Sequence, residues 1–313
     1  MTQLNIGVIG IGAFGSRVAL RLLWSGYHTL QIYDVADVAT RLFTNDYGGM
    51  AIGSPKMMAQ TCDAVISVLP SAAELREVCF GWEGLAQGFA AGGILIDLGN
   101  TDPVETVNIA RELAAGGVDL VAAPALGTPA QAKEGKLTLV VGGPQAAVAR
   151  CRPVLEIIAA KILEADAAGA AQAASAIADY LRAARLLAAS EAIRLGQRFG
   201  FEPATVLDLS DQLGGGDLDD VLRREVVTRR FGTGVQLGIL RRNLDLAARL
   251  AVATDTNSPL LDATLAAWNA AERKLGYGAD HTAIIKWLEA LPSLKPPADP
   301  EPRPEPVGSP ASI

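Results

Sequence analysis

The chain has 313 residues, a formal net charge of −7 and a hydrophobic share of 50%, which fits two domains or one large one with a sizeable core. The acidic balance argues against a nucleic-acid partner, and no apolar run reaches the ~18 residues that a membrane span needs. Three scattered cysteines and two histidines exclude a disulfide framework, a cysteine-rich zinc module and a multi-histidine metal site, so we expect no bound metal.

The N-terminal part, residues 1–164, alternates between short apolar runs and amphipathic helical patterns. Its first residues hold no basic region and no cleavage site, so we expect no signal peptide and a reducing, cytoplasmic location. Strand–helix–strand alternation with short connections predicts an α/β fold with a doubly wound parallel sheet, the Rossmann arrangement. The strands that we predict are Asn5–Ile9, Thr29–Tyr33, Ala64–Leu69, Gly93–Leu98, Ala114–Pro124 and Lys136–Gly143.

Residues 165–291 are predicted to form an all-helical domain for substrate binding and dimerisation. An Ala- and Leu-rich stretch without proline, 167–199, is long enough for one helix of about eight or nine turns. The tail, residues 292–313, is rich in proline and cannot pack a core, so we expect it to be disordered. Further helical patterns cover Pro203–Leu213, Leu237–Thr254, Ser258–Lys274 and His281–Ala290.

A glycine-rich turn links the first predicted strand to a helix. The first glycine permits a tight turn, the second lets the backbone approach a pyrophosphate, and the third lets helix and strand pack closely. The N-terminus of the helix also favours anionic phosphates. Because a second strand follows, the pattern predicts a dinucleotide-binding site. The residues of the turn are Gly10, Ile11, Gly12, Ala13, Phe14 and Gly15.

The second predicted strand ends at Asp34, 19 residues after Gly15. A carboxylate at this position accepts hydrogen bonds from both hydroxyls of the adenosine ribose and repels the 2′-phosphate of NADP. The four residues that follow, 35–38, supply no basic group to hold that phosphate. The sequence therefore predicts NAD as the cofactor, in preference to NADP.

Two further segments resemble motifs of the β-hydroxyacid dehydrogenase family, which includes 3-hydroxyisobutyrate dehydrogenase and 6-phosphogluconate dehydrogenase-like enzymes. The segment 63–70 resembles the family's Asp-x-x-x-x-x-Leu-Pro strand end, whose Leu-Pro pair, here Leu69 and Pro70, lies along the cofactor. The segment 97–103 resembles the family's Asp-x-Ser-Thr-x-x-Pro element near the nicotinamide, with Asn100 in place of the usual threonine. The resemblance implies an NAD-dependent oxidoreductase that acts on a small-molecule substrate.

The substrate loop departs from the family pattern, Asp-Ala-Pro-Val-Ser-Gly-Gly. Residues 122–128 read Ala-Ala-Pro-Ala-Leu-Gly-Thr, so Leu126 replaces the serine that helps to hold a substrate carboxylate in the family, and Gly127 follows it. The family's catalytic lysine, early in the long helix, aligns with Ser175. The pair Arg242-Asn243 aligns with a Lys-Asp pair of the family, so Arg242 keeps one positive charge beside the cofactor.

The missing lysine leaves Ser175 and Asp179 as the candidate catalytic residues. They are four positions apart and share one face of the predicted helix. Oxidising an alcohol needs a group that takes the hydroxyl proton as hydride leaves, and a serine at its free pKa is a poor base. Burial in an apolar cleft would raise the pKa of Asp179 and make it a usable acid or base. The alternative is that Ser175 only packs a helix and that Asp179 is solvated or salt-bridged.

Three functions remain open on this basis. The first is hydride transfer between the nicotinamide and a small hydroxy or carbonyl substrate, in a cleft lined by Leu126, Gly127, Ser175, Asp179 and Arg242. The second is reduction of C=N bonds, since imine reductases resemble the same family and also lack the lysine. The third is NAD binding without turnover, as a sensor or scaffold.

The predicted long helix is apolar around most of its circumference and needs more burial than one small domain offers. The resemblance also implies pairing through the helical domain, so we expect a homodimer or a larger homo-oligomer. We expect His281, which precedes the last predicted helix, to cap that helix or to lie at the surface.

Overall fold

The computed structural model of the chain describes residues 4–212 and 216–292. The predicted disordered tail lies outside the described residues from position 293 onwards. The described part is an α/β structure: a sheet with helices on both faces, followed by a helical half. No helix of the described part is both long enough and apolar enough to cross a membrane.

Within the described residues, nine strands form one sheet in the order β3-β2-β1-β4-β5-β6-β8-β7, with β9 paired to β8. The pairs are parallel except where β8 meets β6 and β7. The strands are β1 Ile6–Ile9, β2 Gln31–Tyr33, β3 Met50–Ala51, β4 Ala64–Ser67, β5 Ile94–Asp97, β6 Asp119–Ala122, β7 Ala125–Leu126, β8 Leu137–Gly142 and β9 Ala159–Ala165.

The sheet is buried on both faces because alternate side chains enter two separate cores. Ile66 and Ile96 point into one apolar cluster, while their neighbours Val65 and Leu95 point into the other. The helices that flank the sheet are α1 Gly15–Trp24, α2 Asp37–Tyr47, α3 Pro55–Thr61, α4 Ala72–Phe80, α5 Pro103–Ala115, α6 Pro129–Glu134 and α7 Gln145–Ile158.

The helical half is organised around α8, Ala168–Phe199, whose 32 residues span about 48 Å. Helix α8 packs against α5 on the sheet side and against α11, α12 and α13 on the other. The third apolar core surrounds the fully buried Trp268. The remaining elements are α9 Pro203–Gln212, α10 Asp217–Leu222, a π-helical segment Arg223–Val227, α11 Leu237–Ala253, α12 Pro259–Leu275, a 3₁₀ turn His281–Ala283 and α13 Ile284–Glu289.

The structure confirms the predicted fold class, with three differences in the sheet. Three of the observed strands, β3, β7 and β9, were not predicted. The predicted strand Ala114–Pro124 is shorter, because α5 extends to Ala115 and the strand begins only at Asp119. The predicted parallel sheet is mixed at one side, where β8 runs antiparallel. Ten residues join β7 to β8, which is too short for the crossover that a parallel pairing requires.

Candidate functional site

The glycine turn between β1 and α1 has glycine where no side chain fits. A Cβ atom on Gly10 would collide with the backbone oxygen of Val68, and one on Gly15 would collide with the backbone oxygen of Gly10. Gly10 also has a positive φ of 91°. By contrast, a Cβ on Gly12 would meet no atom within 4 Å, so the middle of the turn faces open space. This shape leaves room for a ligand to approach the backbone.

The start of helix α1 fits an anionic group. Its N-cap residue, Phe14, makes no side-chain capping hydrogen bond, and its first turn contains no acidic residue. The N–H groups at a helix N-terminus carry partial positive charge and bind phosphates when no side chain caps them. The residues of the turn therefore fit the pyrophosphate of a dinucleotide.

Asp34 ties the end of β2 to the glycine turn. Its Oδ2 accepts a hydrogen bond from the backbone N–H of Ile11 at 2.7 Å, and its Oδ1 accepts one from that of Ala36 at 2.8 Å. Each carboxylate oxygen retains a further lone pair for a ligand hydroxyl. The carboxylate is thus held in place beside the glycine turn.

Neighbouring strand ends bring the other predicted cofactor and substrate segments together. Gly99 follows β5, and a Cβ atom there would lie 2.9 Å from the backbone oxygen of Leu69, after β4. The backbone N–H of Ala125 donates to the carbonyl of Leu98 at 3.3 Å, which places the loop of Leu126 and Gly127 beside the same segment. Pro70 follows Leu69 and is exposed.

A fully buried carboxylate, Asp97, holds the segment that carries Asn100. Its oxygens accept hydrogen bonds from the Ser67 and Thr101 hydroxyls at 2.9 and 2.8 Å and from the Gly99 N–H at 3.2 Å. Gln172 of α8 donates to it at 3.3 Å. Burial raises the pKa of the Asp97 carboxyl to about 6, because desolvation outweighs the hydrogen bonds that lower it.

Helix α8 is joined to this segment through two of its turns. The side-chain amide of Gln172 donates to the carbonyl of Gly99 at 3.0 Å and accepts from the N–H of Thr101 at 3.1 Å. One turn later, the Ser175 hydroxyl donates to Oδ1 of Asn100 at 2.9 Å. The predicted catalytic serine therefore lies directly against the predicted nicotinamide-side residue.

Asp179 completes the cluster from the next turn of α8. Its Oδ2 accepts hydrogen bonds from Nδ2 of Asn100 at 2.9 Å and from Nδ2 of Asn243, on α11, at 2.7 Å. Burial raises the pKa of the Asp179 carboxyl, while Arg182 and the two amides lower it. The structure thus brings the partly buried Asn100 and the buried Ser175 and Asp179 into one hydrogen-bonded group.

The remaining predicted residues are placed less closely. Leu126 is partly buried and packs on the core beneath the sheet, and Gly127 follows it with a φ of 155°. Arg242 is partly buried and precedes Asn243, so its side chain leaves α11 about 100° around the helix from the amide that binds Asp179.

Sequence reasoning missed the roles of Gln172 and Arg182. Both lie on the face of α8 that carries Ser175 and Asp179, and the spacing of these four residues by three or four positions was the signal available. His281 was expected to cap a helix or to lie at the surface, and that expectation was wrong, because Asp280 caps the 3₁₀ turn and His281 is 6% exposed. Burial lowers the pKa of His281 to about 4, so its ring is neutral at neutral pH.

Two family models match almost the whole described chain. Residues 5–167 match the NAD-binding domain of 6-phosphogluconate dehydrogenase, and residues 169–288 match the NAD-binding model of NADP-dependent 3-hydroxyisobutyrate dehydrogenase. The boundary between the two models falls at the start of α8.

Individual relatives extend over the same length. The chain is 26% identical to 2-hydroxy-3-oxopropionate reductase of Escherichia coli over 293 residues, 93% of this chain and 99% of the relative. It is 30% identical to human mitochondrial 3-hydroxyisobutyrate dehydrogenase, over 83% of this chain and 79% of the relative. The solved 3-hydroxyisobutyrate dehydrogenase of Mycobacterium tuberculosis has the same fold, with a TM-score of 0.83, 23% identity, and coverage of 92% of this chain and 100% of that one.

Proposed function

The chain belongs to the β-hydroxyacid dehydrogenase family and is an NAD(P)-dependent oxidoreductase, and from this premise we propose that it uses NAD and an altered catalytic site. The reaction is hydride transfer between the nicotinamide and a small hydroxy or carbonyl substrate. The observation that carries the proposal is the hydrogen bonding of two buried side chains, Asp179 and Ser175, to Asn100.

NAD, when bound, supplies the hydride acceptor, or the donor in its reduced form. The backbone of the glycine turn, 10–15, would hold its pyrophosphate, and Asp34 would accept hydrogen bonds from its ribose. Leu69 and Pro70 would lie along it, and Asn100 would lie near its nicotinamide. Arg242 would add a positive charge at the same side of the cleft.

Asp179 would carry the proton in this proposal. When an alcohol is oxidised, the hydroxyl proton passes to the carboxylate as hydride leaves the carbon, and reduction reverses both transfers. Ser175 would orient the substrate or a water molecule through its hydroxyl. Leu126 brings an apolar side chain to the substrate loop beside Gly127, which disfavours a small carboxylate substrate.

A second candidate is reduction of a C=N bond, and the buried carboxylate of Asp179 favours it. A carboxyl group can protonate an imine nitrogen and then stabilise the resulting cation. A panel of aldehydes, hydroxyacids and cyclic imines, followed by the change in NADH absorbance, separates the two reactions. Turnover of cyclic imines alone would favour the second candidate, and tight NADH binding without turnover of any compound would favour a non-catalytic role.

The choice of NAD is tested by titrating NADH and NADPH against the protein by fluorescence. We expect tighter binding of NADH, and we expect Asp34→Asn to reduce that preference by removing the charge that repels a 2′-phosphate. Asp262→Asn is the matched control, because Asp262 is exposed at the start of α12, in the helical half and away from the glycine turn. Tighter binding of NADPH to the unaltered protein would contradict the proposal.

A further inference from the structure

Three side chains contact the carboxylate of Asp179, and they are divided unequally between its two oxygens. Both amide donors, from Asn100 and Asn243, reach Oδ2. The other oxygen, Oδ1, faces the guanidinium of Arg182 at 3.4 Å, one turn further along α8. Because two donors already occupy Oδ2, a proton that enters this carboxyl group must bind at Oδ1, beside the positive charge.

The amide donors fix the orientation of the carboxylate without adding charge. Asn100 comes from the segment after β5 and Asn243 from α11, so the carboxylate is pinned between two parts of the fold. The charge that contacts the group comes from its own helix, through Arg182. Burial raises the pKa of the Asp179 carboxyl, and among the contacts that lower this pKa the charge of Arg182 acts more strongly than the amides.

The neighbouring 3₁₀ turn adds a titratable group next to Arg182. His281 is buried there, and the positive charge of Arg182 contributes to keeping its pKa low. The Nδ1 atom of His281 lies 3.1 Å from the Thr233 hydroxyl, and Asp280 lies 3.5 Å away. A neutral His281 leaves the guanidinium free of a competing positive charge at neutral pH.

We propose that Arg182 is a positioning residue that keeps Asp179 as an oriented anion, ready to accept a proton at Oδ1. The catalytic half of this inference rests on the proposed function: the resting site is set to remove the hydroxyl proton of an alcohol, while hydride leaves with its electron pair for the nicotinamide. The carboxyl group formed in that step returns its proton to water past Arg182, whose side chain is 31% exposed. For carbonyl reduction, Asp179 must first take up a proton against the nearby charge.

The test measures the protonation of the Asp179 carboxyl group directly and does not depend on enzymatic turnover. Carbon-13 NMR of carboxyl-labelled aspartate in the full chain, with the Asp179 signal assigned from its loss in Asp179→Asn, gives the titration midpoint. We expect Arg182→Gln to move the midpoint upward by about one to three pH units, the range typical of a nearby opposite charge. Arg182→Lys, which retains the charge, should restore most of the original value.

Arg194→Gln is the matched control on the same helix. It makes the same change of charge 15 residues beyond Asp179, about 22 Å along α8, where solvent ions screen its effect. An unchanged midpoint in Arg182→Gln overturns the proposal, and so does an equal shift in Arg194→Gln. If Arg182→Gln fails to fold, the test uses Arg182→Lys alone. A titration midpoint of Asp179 in that variant more than one pH unit from the original value then overturns the proposal.

Activity gives a second, separate readout. In Arg182→Gln, the pH above which reduction declines should move upward with the NMR midpoint, while Arg182→Lys follows the unaltered protein. If the NMR midpoint shifts but no substrate is turned over, the inference about Asp179 stands and the proposed reaction fails. If reduction occurs, and the pH above which its rate declines stays fixed while the NMR midpoint moves, the proton comes from another group. The inference about the catalytic role of Asp179 then fails.

Discussion

Replacing Asp179 with asparagine removes the proposed proton carrier with little change to its surroundings. The asparagine oxygen can take the place of Oδ2 and keep both hydrogen bonds, from Asn100 and from Asn243. Its amide nitrogen then occupies the position of Oδ1 and faces Arg182, so the ion pair is lost. The substitution therefore separates proton transfer from packing.

The expected effects differ strongly in size. Arg182 is partly exposed, so losing its ion pair costs about 1 kcal/mol of unfolding free energy, and removing a buried charge offsets part of that. Losing a general acid or base typically lowers the rate by about 10²–10⁴-fold, which corresponds to about 3–5 kcal/mol in the activation barrier. We expect kcat to fall in this range and KM to change much less.

The assay is steady-state turnover of the best substrate from the panel, with urea unfolding of the same preparations. Asp245→Asn is the control, because it also removes an ion-paired aspartate, the partner of Arg241 on α11. It should keep full activity. If Asp179→Asn retained full kcat while unfolding normally, the proton would come from water or another residue and our account of the site would be wrong.

Further expectations concern the serine, the second buried carboxylate and the assembly. Ser175→Ala should raise the barrier for kcat/KM by about the value of one hydrogen bond, ~0.5–1.5 kcal/mol. Ser175→Lys should not restore hydroxyacid oxidation, because Leu126 still fails to bind a carboxylate. Steady-state kinetics of the two variants test both expectations. Burial raises the pKa of Asp97 from 3.8 to about 6, so its contribution to stability is complete below pH 3.8 and is lost as the pH rises through 6, by up to about 3 kcal/mol in all. Urea unfolding at pH 5 and 7 covers about 1 kcal/mol of this loss and should show it absent in Asp97→Asn. Light scattering at micromolar concentration should give at least a dimer mass, since Ile177 and Leu181 expose apolar surface on α8, and a monomer mass would contradict the pairing.

The parts of the site that could be predicted from sequence are those fixed by local chemistry. The glycine turn and Asp34 lie within one strand–helix–strand unit, so their spacing already describes their geometry. The long helix was also predictable, because 167–199 has no proline and few helix breakers. Its observed bounds, Ala168–Phe199, differ by one residue at the start.

The parts that could not be predicted depend on contacts between distant segments. The Asn100–Asp179 hydrogen bond joins residues 79 positions apart, and nothing in either segment specifies the partner. The same holds for Asn243, which the sequence placed only through its alignment with a family pair. His281 looked like a surface residue because a lone histidine before a helix gives no sign of the distant segment 233–235 that lies against its ring.

The orientation of Asn100 has an evolutionary consequence. Its oxygen must face Ser175 and its nitrogen must face Asp179, so the two helix residues together determine which way the amide points. A change at either helix position to a side chain without the required donor or acceptor leaves one polar atom of Asn100 without its partner, at a cost of about 1–3 kcal/mol where water cannot replace it. Replacement of these residues by apolar side chains is therefore tolerated best when the positions change together, which makes the trio epistatic.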